Sequence, residues 1–339
     1  MPVEVLLGCV FARGNYTCRL CATTQTWCCL SDSIDQERLV QTTDVEVIPS
    51  SQAKTNLSTI TAAGTKSYPW ERPFWKPMKG KRAIFLYLVA IHVLAVTGLI
   101  LFPLPSLRVA GLTLILICLG GLGTTVCYHR TLSHRTVKLN KIIEHMLIFC
   151  AMFNGSGAPA SWVAYHRHHH SKSDTLDDIS SPTHGGFWWA HLRWLYQSPC
   201  ADADYWCPEF NKGIYKVWTY AEVPVILLSL SCGALLGWQG FFWMGAIRLV
   251  YSLHMQCFVN SLTHLGRNDD GDTSQNVWWL GPLQMTAWGE NWHRNHHLNA
   301  GSARFGLRWW QIDIGWYFIW ILEAVGLAHN IRRPRAADP

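Results

Sequence analysis

Charge is scarce in this chain. Asp, Glu, Lys and Arg make up only 15% of its 339 residues, against about 25% in an average soluble domain. The formal net charge of +6 is spread without any dense basic run, which excludes a nucleic-acid groove. Paired Glu-x-x-His motifs, by which soluble helical bundles hold two metals, are also missing. The twelve cysteines do not form a secreted disulfide framework. Five of them, Cys9, Cys18, Cys21, Cys28 and Cys29, crowd the first 29 residues, and several others sit in apolar runs. Cys18 and Cys21 have the spacing of half a zinc site, but no second half follows.

What remains is apolar and aromatic: 49% hydrophobic residues, with 19 tryptophans. That profile fits a membrane protein with aromatic belts at the lipid–water boundary. Residues 1–66 are rich in Ser and Thr and lack periodicity, so they read as a disordered or targeting segment. Their six acidic residues argue against a transit peptide, and a misread start codon explains them equally well. Residues 67–339 then form the folded domain. Two uncharged runs follow, Ala83–Leu107 and Val109–Tyr128, joined through Phe102-Pro-Leu-Pro105. Each reaches the roughly 20 residues a helix needs to cross hydrocarbon. A second hairpin is expected from Trp218–Trp238 and Phe241–Leu262, turning at Gln239-Gly240, with Arg248 inside the return arm. Met146–Phe153, Phe187–Tyr196 and Ile314–Leu322 are too short to span and suit interfacial helices. The expectation is an all-α protein with four transmembrane helices in two hairpins and a helical cap. Of the 28 Lys and Arg, 26 fall in the three segments that two hairpins place on one side. The positive-inside rule makes that side cytosolic or stromal.

Histidine clusters lie on that same side. The pattern is H-R-T-L-S-H (His129, His134), H-R-H-H-H (His166, His169, His170), N-S-L-T-H (His264) and W-H-R-N-H-H (His293, His296, His297). Residues at i, i+3 and i+4 share a helix face, and that triplet occurs twice. His168 points away from its triplet's face. His92, His145, His184, His191 and His329 read as ordinary structural histidines, and His254 as a neighbour of the ligands. Nine imidazoles exceed one tetrahedral zinc. Two metals with four or five ligands each and open positions suit iron and dioxygen. Asp174, Asp178 and Glu290 are the nearby acids able to orient the rings.

From about Trp70 to Pro334 these motifs resemble the membrane fatty acyl desaturases of the delta-9 type. The resemblance implies four membrane helices, a cytosolic cap, and two Fe(2+) ions held by the nine histidines. It also implies an ordered water between one iron and Asn260 of Asn260-Ser-Leu-Thr-His264, and Trp162 at the bend of a substrate tunnel. Members of that family insert a cis double bond using dioxygen and two electrons. No H-P-G-G motif marks a fused cytochrome b5-like domain, so a separate donor, ferredoxin or a free cytochrome, is expected.

The departures bear on substrate. Acyl-CoA enzymes of this type carry W-x-R-D before the second box, and here the run is Trp162-Val-Ala-Tyr165. A basic pair is likewise replaced by Thr183-His184-Gly185-Gly186, and the segment Gly301–Asp313 is similar to cyanobacterial and plastid acyl-lipid enzymes. An acyl-lipid substrate is therefore favoured over acyl-CoA. A plastid, thylakoid or bacterial inner membrane is the favoured location, with the endoplasmic reticulum as the alternative. Arg294 stands where the family usually has Asn, and Ile179 where it has Pro. The competing readings are a hydroxylase of alkyl or sterol substrates on the same scaffold, a membrane metal-binding protein, and an inactive desaturase-like chain.

Overall fold

Three helical stretches are long and apolar enough to cross a membrane: Arg82–Leu101, Leu107–Ser133 and Gly213–Leu262. The computed structural model describes residues 59–60, 66–280 and 288–334, so the expected disordered or targeting segment lies almost wholly outside the described residues. Helix α1 is Arg82–Leu101. It buries Leu88, Ile91, Ala95 and Gly98 along one stripe and exposes Leu86, Val89, Val93 and Val96 on another. A helix apolar on both faces suits lipid on its outer side. Helix α2, Leu107–Leu122, starts at Ser106, whose side chain accepts from the Val109 N–H. It continues as a π-helical segment, Gly123–Ser133. Gly121 lies so close to the Trp288 ring that a Cβ there would collide with it.

Helix α3 (Lys141–Phe153) is capped by Asn140, and helix α4 (Pro159–Lys172) has Pro at its first position, where the missing N–H costs nothing. Helix α5 covers Gly213–Ser231 and helix α6 Arg248–Leu262. Between them the chain reverses at Cys232–Leu236, followed by Gly237 at φ 77. The reversal therefore comes earlier than the expected Gln239-Gly240, because Gly237 supplies the left-handed conformation that non-glycine residues resist. The two hairpin tips clasp each other. Gln239 accepts from Ser106 N–H and donates to the Leu104 carbonyl, and Trp243 Nε1 donates to the Phe102 carbonyl.

Arg248 does not reach toward a membrane surface. It is fully buried, donating to Met244 and Phe153 carbonyls, Asn154 Oδ1 and Ser229 Oγ. A buried cation of this kind is tolerable because each N–H has an acceptor.

The cap includes two short helices, α7 (His293–Leu298) and α8 (Ile314–Ala324). The expectation of an all-α fold needs a small correction. Two antiparallel pairs of two-residue strands occur, β1 (Thr59–Ile60) with β2 (Lys66–Ser67), and β3 (Lys138–Leu139) with β4 (Ala328–His329). The second pair ties the chain after α8 to the segment that leaves the π-helix.

Candidate metal centre

The spacing of His129 and His134 is awkward for an α-helix. At 3.6 residues per turn, positions i and i+5 point about 140° apart. The π-helical Gly123–Ser133 segment removes the problem: the His134 N–H bonds the His129 carbonyl, and the wider turn brings both rings to one side.

Nine histidines gather into two groups. His129, His134, His166, His170 and His296 form one, and His169, His264, His293 and His297 the other, with their nitrogens within 4.8 Å inside each group. Each i, i+3, i+4 triplet is split. On α4, His166 and His170 join the five-membered group and His169 the other. On α7 the division is reversed: His296 joins the five, and His293 and His297 the four. The two helices thus face each other across both groups. His168 belongs to neither and packs edge-on to Trp206 at 5.4 Å. His254 does not contact the groups as expected of a neighbour. It bonds His92 and His191 in a separate chain.

For three of these histidines a carboxylate sets which nitrogen faces inward. His129 Nδ1 donates to Glu290 at 2.7 Å, His169 Nδ1 to Asp178 at 2.9 Å, and His264 Nδ1 to Asp174 at 3.4 Å. Once Nδ1 carries the proton, Nε2 is left as a lone pair. The Nε2 atoms converge: those of His129 and His296 are 3.0 Å apart, of His264 and His293 3.0 Å, and of His134 and His166 2.7 Å. His169 Nε2 is buried with no hydrogen-bond partner among the described residues. Burial, then mutual repulsion of neighbouring imidazoles, holds His134, His166, His170, His293, His296 and His297 well below the ordinary histidine pKa. For His169 burial pulls the same way, but the Asp178 carboxylate outweighs it and the net shift is upward. The acids respond in kind. Burial would raise Asp178 and Glu290, yet their histidine partners hold both below the usual carboxylate range. Buried, convergent imidazoles, three of them backed by carboxylates, are a donor set that suits a divalent transition metal.

Two further acids have no signal in local spacing. Asp313 accepts from Arg130 at 2.9 Å, and from the N–H groups of Trp316, Phe305 and Gly306. Arg130 is fully buried, lies 3.6 Å from Glu290, and stacks 3.8 Å from the centre of the Phe305 ring. That ring in turn packs on His296 and His129. Asp272 lies 3.9 Å from His297 Nδ1 and is held at 2.9 Å by Arg294, which also pairs with Asp270. Arg294 thus clamps the loop that carries the acid beside His297.

A cavity of about 320 Å³ lies against both groups; His129, His166, His169 and His293 line it. Trp162 also lines it, stacked on His166 at 4.9 Å. Asn260 borders it too. Both its amide protons go to the Ser180 and Ala190 carbonyls, so its remaining polar atom is the acceptor Oδ1. A volume near 300 Å³ is at the lower end for small-molecule sites.

The profile described as Fatty acid desaturase matches residues 105–320, which contain all nine histidines. The chain belongs to the fatty acid desaturase family. It is 37% identical over 279 residues to "Delta-9 acyl-lipid desaturase 1" of Arabidopsis thaliana, covering 78% of this chain and 87% of that protein. It is 34% identical over 261 residues to "sn-1 stearoyl-lipid 9-desaturase" of Synechocystis sp., covering 74% and 80%. "Icosanoyl-CoA 5-desaturase" of Limnanthes douglasii is 33% identical over 287 residues, covering 79% and 76%. The desaturase is thus an oxidoreductase of fatty acids and a membrane protein.

Because His168 stands outside both groups, His168→Ala in this desaturase is expected to keep metal content and product type unchanged. Some stability should be lost, since the residue is only 2% exposed. Metal analysis of purified protein checks it, and loss of one metal equivalent would contradict the grouping.

Proposed function

We propose that this desaturase inserts a cis double bond into a saturated fatty acyl chain, with an acyl lipid favoured over acyl-CoA. The observation that carries the reading is the cavity, because one apolar space touches histidines of both groups and Trp162. Two irons held there, His129, His134, His166, His170 and His296 on one and His169, His264, His293 and His297 on the other, would supply the activation of dioxygen. The chain's own residues do the rest. Glu290, Asp178 and Asp174 keep the protons on Nδ1, so the inward nitrogens stay free to bind. Asn260 Oδ1 is suited to hold a water toward the second group. The Trp162 indole, fixed against His166, braces the wall where two neighbouring methylenes must lie. The close apolar wall excludes bulk water from the reacting carbons. Electrons enter from a separate donor, ferredoxin or a cytochrome b5-like protein.

Both arms of Gly213–Leu262 are read as crossing the bilayer, which makes four spans with α1 and α2. The cap then lies on the cytosolic or stromal side. A plastid, thylakoid or bacterial inner membrane is favoured over the endoplasmic reticulum, because charges typical of CoA recognition are missing at Ala164 and Tyr165.

Expression in a host with a simple fatty-acid profile, followed by analysis of each lipid class, tests the reading. The expected result is a new cis-alkene in membrane lipids. A hydroxylated chain would instead establish a hydroxylase, and a lone zinc per chain without oxygen consumption would remove both.

A further inference from the structure

Lys81 is the only lysine or arginine among the described residues that line the cavity. It caps the start of α1 and is 4% exposed. Its Nζ donates to Tyr165 Oη at 2.9 Å and Ser198 Oγ at 3.4 Å, both neutral. An ammonium has three N–H bonds, so one is left beside the cavity without a partner among the described residues. Burial alone lowers this group from the ordinary lysine value to about 7, with no carboxylate to offset it. A buried cation with only neutral partners is costly unless a ligand completes it. Tyr165 immediately precedes His166, which ties Lys81 to the helix carrying three of the histidines.

Apolar contact has no direction. An alkyl chain in an apolar cavity can slide along its own axis at little cost, and every slide brings a different carbon pair to the metals. A fixed register needs a directional contact at one end. One cation also distinguishes between head groups: a nucleotide with several phosphates calls for a cluster of Arg and Lys, whereas a single donor matches one carbonyl oxygen.

We propose that Lys81 Nζ, held by Tyr165 and Ser198, receives the acyl carbonyl oxygen at the head of the substrate and so sets which carbons meet the metal centre. The inference rests on the desaturase reading and names the residue that would give it regiochemistry. The shared ligand chemistry is an acyl carbonyl, whether from a lipid ester or a thioester.

The test uses the full-length protein in membranes, supplied in separate arms with phosphatidylcholine vesicles carrying palmitoyl or stearoyl chains and with the matching acyl-CoA. Wild type is expected to give one positional isomer, and the arm that is converted identifies the carbonyl as ester or thioester. Lys81→Met should give a mixture of double-bond positions and a KM raised about tenfold, the size of one lost charge-assisted hydrogen bond. Lys81→Arg, which retains donors, should keep a single isomer. A merely structural lysine would lower the yield of Lys81→Met without scattering the positions, and that outcome overturns the proposal. If Lys81→Met does not accumulate, a series of acyl lengths in wild type decides. A double bond at constant distance from the carbonyl supports the anchor, and constant distance from the methyl end overturns it. Absence of any alkene from wild type would instead fail the desaturase reading itself.

Discussion

His169→Ala is expected to abolish the new double bond and, if each histidine group holds one metal as proposed, to halve the metal content. His169 belongs to the group with only four histidines, so its loss leaves three imidazoles. The same change unpairs Asp178, a fully buried carboxylate that His169 holds ionised. A milder variant separates the two effects. Asp178→Asn keeps all nine imidazoles but weakens the orientation of one ring, and such supporting contacts typically cost 10–100-fold in metal affinity or activity. Metal analysis beside lipid analysis should therefore show a graded series: wild type, Asp178→Asn, His169→Ala. Unaltered product from His169→Ala would refute the grouping, whatever the metal content.

Asp313→Ala should destabilise the protein by about 3–5 kcal/mol, the usual result of stripping one partner from a buried ion pair. Arg130 is fully buried, and its remaining acid, Glu290, sits 3.6 Å away while also serving His129. Losing Asp313 also frees the N–H groups of Trp316, Phe305 and Gly306. Thermal unfolding in detergent measures the effect, and a melting temperature equal to wild type would show that the network is not structural. Replacing both partners, Arg130→Met with Asp313→Leu, should recover only part of the stability: neither member of the pair is left orphaned, but Glu290 loses its cation and three N–H groups stay without an acceptor. Activity should not recover with it, since Glu290 and Phe305, which flank His129, lose their shared cation.

Much of this protein is legible along the chain. The apolar spans of α1 and α2 follow from uncharged runs, and the second hairpin from apolar runs broken only by Glu222 and Arg248, although its reversal falls at Gly237. Asp174, Asp178 and Glu290 lie within a few residues of a histidine box, and each does face a histidine. Asp313, Asp272 and Lys81 escape that reasoning. Asp313 reaches Arg130 across 183 residues and Lys81 reaches Tyr165 across 84, so neither pairing leaves a local trace. The burial of Arg248 is of the same kind: its acceptors come from α3, from α5 and from its own preceding turn.

Identity and spacing of side chains are local quantities, and they were enough to name nine imidazoles, the membrane runs between them and the chemistry such a set can perform. How those imidazoles divide is not local. The five-and-four partition, the exchange of the i+3 histidine between α4 and α7, and the π-helical widening that turns His134 beside His129 exist only once four distant segments meet. A histidine's position in sequence tells which way it leaves its helix, but which group it joins depends on what packs opposite, and packing is settled by the whole fold.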